Sequence, residues 1–241
     1  KSALNRLAMT AMTDRRSGEG MDVHFLEKFE RQRRDIGQLG FQLSNEIIKV
    51  SKEMIAAVTA GDETAVAAHR ERLSTLWDEM GKSDLPADLA WQFDSEAGAE
   101  MGEAVNVASL YPLLSPENSE REIVIPSHHD LGINPQSWLA CIGDTVSELG
   151  KIHTNLLTDL ALDFERRIAL RQQYLKLAKQ IYAFLGQFET CYGMVINHTR
   201  RKGGGNTYRG MLGRIAMLIQ RESEDLARAL DIRAAIRALS D

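Results

Sequence analysis

From Asp22 onward the apolar positions Phe25, Phe29, Ile36, Leu39, Leu43, Ile47, Val50, Met54 and Val58 step by threes and fours. That is the period of a helix with one buried face, and it predicts a long amphipathic helix of about ten turns ended by Gly61. Asp62 has the side chain of an N-cap, and Val66, Leu73, Leu76, Trp77 and Met80 then define a second helix closed by Gly81. Pro86 suits the first turn of a third, which runs towards Tyr111 and carries Glu96, Glu100 and Glu103.

Pro112, Pro116, Pro126 and Pro135 bracket a long connection in which Glu122-Ile-Val-Ile125 reads as briefly extended. A fourth helix starts near Pro135 with Trp138, Ile142, Val146, Leu149, Ile152 and Leu156 inward, and Asp144, Glu148, Lys151 and Asn155 on the other side. A fifth spans about Leu160 to Thr199 and stops at Gly203-Gly-Gly205; a sixth runs from about Tyr208 to Leu239. Hardly any segment alternates with period two, so the prediction is an all-α bundle of about six long helices. Residues 1–21 read as a tail and residues 22–241 as one domain. Helices of this length offer a second seam to a neighbour, which points to a homo-oligomer.

Composition narrows the chemistry. The chain is 44% hydrophobic and 26% charged, enough apolar residues for a substantial core. A net charge of −5 argues against bulk electrostatic binding to nucleic acid, so such a partner would be held by local basic patches. Cys141 and Cys191 are neither a disulfide framework nor a zinc pattern, which fits a reducing, cytoplasmic compartment. No apolar run is long enough for a membrane helix, and no membrane partner is expected.

The candidate chemistry lies in two acidic pairs. Glu100 and Glu103 stand at i, i+3, and Asp144 and Glu148 at i, i+4, so each pair projects from one helix face. This reading gives neither pair a basic partner at matching spacing, and like charges one turn apart repel by a few tenths of a kcal/mol. The four supply only hard oxygen donors, which suit Mg²⁺, Mn²⁺ or Ca²⁺. The alternative is that they are solvated acids on two amphipathic faces. No Glu-x-x-His pair supports a di-iron centre, and His128-His129-Asp130 in the connection reads as a polar loop cluster or a minor metal candidate. Lys28, Arg31, Arg33 and Arg34 on the first helix, and Arg200, Arg201 and Lys202 before the glycines, are candidate phosphate contacts or simply solvated faces. The glycines are not a P-loop, since no strand precedes them and no Gly-Lys-Ser/Thr follows.

The segment Ala99-Glu-Met-Gly-Glu-Ala104, followed by Leu131-Gly-Ile-Asn-Pro-Gln-Ser-Trp-Leu-Ala-Cys-Ile-Gly-Asp-Thr-Val-Ser-Glu-Leu-Gly150, resembles the translin family, and within it the branch of translin-associated factor X. Arg34-Asp-Ile36 and Phe188-Glu-Thr-Cys-Tyr192 add to the likeness, which covers roughly residues 25 to 202. The resemblance implies an all-α protomer in a hollow homo-oligomer, often an octamer, that binds single-stranded RNA and DNA. Glu100, Glu103, Asp144 and Glu148 match the four acids that in that branch face the interior and hold Mg²⁺ for endoribonuclease activity. Arg31, Arg33, Arg34, Arg200 and Arg201 are the basic residues assigned to nucleic acid on their chemistry. A non-catalytic single-strand binder of the same architecture is the rival expectation.

Overall fold

The structure is a computed structural model that describes residues 23–83, 85–118, 120–188 and 208–239. The expected tail 1–21 and the basic run containing Arg200 and Arg201 lie outside the described residues, as do Cys191 and the glycine stop at 203–205.

The helices are α1 (Val23–Ala60), α2 (Glu63–Lys82), α3 (Ala87–Phe93), α4 (Ala99–Leu110), α5 (His128–Leu131), α6 (Pro135–Leu157), α7 (Phe164–Gly186) and α8 (Tyr208–Ala238). No strand occurs among the described residues, so the all-α expectation holds. In the long connection Glu122–Ile125 forms no strand: two 3₁₀ turns, Tyr111–Leu114 and Pro116–Asn118, lead through irregular backbone to α5. The predicted third helix is interrupted by a π-helical turn over Asp94–Gly98, immediately before Glu100. Such turns insert an extra residue and re-aim the helix face that follows.

Several helices begin where a side chain caps their first turn. Gly61 takes a left-handed φ of 70° and Asp62 then accepts a hydrogen bond from the Ala65 amide at 2.9 Å. Asn134 accepts from the amides of Gln136 and Ser137 at 2.9 and 2.8 Å, with Pro135 at the first helical position of α6. Asp163 caps α7 through the Arg166 amide.

α1 packs between α2 and α4; α4 packs on α6; and α6, α7 and α8 pack on one another. The core runs through Ile47, Met54, Leu73, Leu110, Leu139, Ile142, Leu149, Ile181 and Leu185, each at most 2% exposed. Burial of each such side chain stabilises by about 1.5–3 kcal/mol. The first half of α1 departs from its predicted register: Leu39 and Phe41 are 47% and 59% exposed, and burial becomes regular only from Ser44. Gly40 is the early exception, because a Cβ there would meet the Phe93 ring at 2.5 Å, and its absence lets the end of α3 close onto α1. Trp138 ties the connection down, donating from Nε1 to the Pro126 carbonyl at 2.7 Å and meeting Phe184 and Phe188 edge-on.

Candidate metal and nucleic-acid site

The seam between α4 and α6 is set by a glycine. A Cβ on Gly102 would stand 2.6 Å from Cys141 Sγ, so only glycine allows α6 this close. One turn further along α4, Asn106 Nδ2 donates to the same sulfur at 3.4 Å. Met101, Gly102, Ala104, Asn106, Val107 and Leu110 line the buried face of α4, leaving Glu100 and Glu103 half-buried along its margin. On α6 the alternation of Ile142, Gly143, Val146 and Leu149 with the core brings Asp144 and Glu148 to the same margin.

The consequence is electrostatic. Burial raises the Glu103 carboxyl from 4.5 to about 8, and the charges of Asp144, Glu100 and Glu148 push it the same way against Lys151. Asp144 is exposed at its surface but is also raised, by loss of surrounding water first; Arg214 of α8 opposes this, Glu100 adds to it and Lys151 opposes it. The Cys141 thiol is held far above its ordinary range by burial and then by Glu103 and Asp144. Two acidic pairs that are 41 positions apart, Glu103 to Asp144, therefore act on one another in the folded chain.

Two findings correct the expectation. Glu148 does have a basic partner: Lys151 Nζ stands 2.5 Å from its Oε2, at i, i+3. That pairing was readable from spacing alone. Arg214 was not, since nothing local links α8 to Asp144; it arrives because Gly143 admits Met211, one turn before Arg214, against α6. Among the described residues no three His, Cys, Asp or Glu side chains already stand close enough together to hold an ion. The donor set fits a hard divalent cation in chemistry, being all oxygen and mutually repelling, while its side chains still have to converge.

Arg31 and Arg34 are exposed and Arg33 half-buried on the outlying half of α1, and the charges acting on Glu103 and Asp144 do not include them. Their assignment to nucleic acid gains nothing from the seam. The rings of His128 and His129 lie 3.9 Å apart, tilted by 39°, but Asp130 is committed to a capping box with Ser127, so this cluster is a helix start.

No family model and no curated protein matches the chain. Among solved structures it is similar to AfC3PO in complex with duplex RNA, with a TM-score of 0.68 at 16% identity, covering 89% of this chain and 99% of that one. It is also similar to apo-NeC3PO (TM-score 0.63, 17% identity, 88% and 100% covered) and to AfC3PO (0.61, 19%, 87% and 95%). At this coverage the likeness spans most of the chain, which has the C3PO/translin helical fold.

Proposed function

We propose that the protein is a metal-dependent endoribonuclease that cleaves single-stranded RNA, a member of the branch of translin-associated factor X working as a hollow homo-oligomer in the cytoplasm. The observation that carries this reading is the mutual action of Glu100, Glu103, Asp144 and Glu148 across the α4–α6 seam. The likeness to a protein seen in complex with duplex RNA supports RNA as the partner class.

In this reading the four carboxylates hold Mg²⁺, with Mn²⁺ as a substitute. When bound, the ion would lower the pKa of a coordinated water and stabilise the charge that develops on the phosphate. The chain's own part is to hold four oxygen donors on two rigid helices and to release the proton that Glu103 retains near neutrality. Arg31, Arg33 and Arg34, with Arg200 and Arg201, would bind the strand's phosphates and fix its register.

Labelled single-stranded and duplex RNA incubated with Mg²⁺, and again with chelator, test the proposal. Cleavage is expected only with the ion, and Glu103→Gln or Asp144→Asn should lower it at least about 100-fold. Cleavage that survives both substitutions in protein purified free of other nucleases would overturn the assignment. A second reading, an RNA-binding protein without catalysis, is favoured by the Lys151–Glu148 ion pair, which already neutralises one of the four acids. RNA binding without cleavage in any divalent ion selects it.

A further inference from the structure

The α4–α6 seam carries more acceptors than donors. Beside the four carboxylates, Asn106 is 1% exposed and its Oδ1 has no hydrogen-bond partner; its amide nitrogen is spent on Cys141, the residue that feels Glu103 and Asp144. Against these stand two cations, Lys151 and Arg214, and they differ in kind. Arg214 is half-buried and delivered by α8, whose first turns pack into the core at Tyr208, Met211, Leu212 and Ile215. Lys151 is 71% exposed, lies on the same helix as its partner and ends in a compact ammonium on a flexible stem.

We infer that Lys151 is the resident cation of the seam, holding Glu148 when no divalent ion is present and competing with that ion for the same carboxylate. The inference rests on the reading of the four acids as an ion site. Ion pairs as exposed as this bias an equilibrium by at most about fivefold, so the ammonium is displaceable. A divalent ion carries twice the charge and reaches several carboxylates at once. Lys151 would thus keep Glu148 ordered and partly neutralised in the ion-free protein, and would set how much divalent ion is needed to replace it. Its release leaves a cation beside the acids, where a phosphate oxygen of a bound strand is the available counter-charge.

The test is a titration of the full chain with Mn²⁺ alone, without RNA, followed by electron paramagnetic resonance and calorimetry. Lys151→Met is expected to bind Mn²⁺ about two- to fivefold more tightly than the parent, and Lys151→Arg to stay near it. In a Glu148→Gln background, Lys151→Met should produce little further change, because the carboxylate under competition is gone. Equal or weaker Mn²⁺ binding by Lys151→Met, with the parent binding normally and Asp144→Asn abolishing it, overturns the inference and leaves the ion site standing. Absence of Mn²⁺ binding in the parent and in Lys151→Met alike overturns both.

Discussion

Glu103 is where the cost of assembling the acidic seam is concentrated. Its carboxyl is raised from 4.5 to about 8, so the folded chain holds a proton there that the unfolded chain gives up. The stabilisation linked to that proton is fully present below about pH 4.5 and is lost as pH rises through 8. At 1.36 kcal/mol per unit the upper bound is about 5 kcal/mol, and because Glu103 is only half-buried we expect about 2 to 3. Melting temperature should fall between pH 6 and pH 9, and Glu103→Gln should flatten that fall; an unchanged slope would contradict the coupling. The spacing showed that each pair repels internally. Coupling between the pairs required the close approach at Gly102, which no local pattern announces.

Two inter-helix joints decide where the elements sit. At the first, Gly102→Ala would drive a methyl into Cys141 Sγ, a short side chain with no room to move, and into Ile133 at 3.2 Å. A loss of about 1–3 kcal/mol in urea unfolding is expected. The second joins α6, α7 and α8: Glu222 Oε1 accepts from Arg171 Nη1 at 2.6 Å and lies 3.4 Å from Nε2 of His153, which stacks on Tyr174 at 4.7 Å. Burial alone would raise the Glu222 pKa, but His153 and Arg171 outweigh it and hold it below the ordinary value. The stability it contributes is therefore present above pH 4.5 and lost as pH falls through its depressed pKa, the reverse of Glu103. Glu222→Ala should cost about 1–3 kcal/mol at pH 7 by removing the carboxylate shared by Arg171 and His153, leaving Arg171 to Asp225 at 3.6 Å, and the difference from the parent should shrink in acid. Most of the helices were legible from periodicity, but α7 ends at Gly186, short of the helix to Thr199 that periodicity predicts, and the short α5 lies in what reads as a loop. The π turn at Asp94–Gly98 was not legible, because it depends on how α3 meets α1, and the joint at Glu222 pairs residues 51 and 69 positions apart.

At the scale of the whole molecule, five of the exposed large apolar side chains lie on parts of helices that outrun the core, while others, such as Val124 and Leu160, lie in connections. Leu39 and Phe41 lie on the first half of α1; Ile232, Ile236 and Leu239, at 53%, 53% and 88% exposed, follow a helical stripe at the end of α8. Such stripes are what a partner covers in an oligomer. Light scattering of the proposed homo-oligomer should return several times the 26.9 kDa of one chain. Ile232→Asp combined with Ile236→Asp should shift it to smaller species while leaving the helical circular dichroism in place; an unchanged mass would remove this end of α8 from the assembly. No described helix is long and apolar enough to cross a membrane, so these stripes are not membrane spans.

By itself the sequence determined most of the helical segments, the start of α2 at Asp62 and of α6 at Pro135, and the inward stripes of α2, α6 and the second half of α1, because those properties depend on neighbours within a turn or two. It also held the i, i+3 spacing that pairs Lys151 with Glu148. Only the tertiary structure decided that the two acidic pairs share one seam, that Arg214 acts on Asp144, and that Leu39 and Phe41 on the first half of α1 stay exposed. Those facts follow from how closely helices approach at Gly102 and Gly143, and contacts between residues far apart in the chain leave no periodic trace in it.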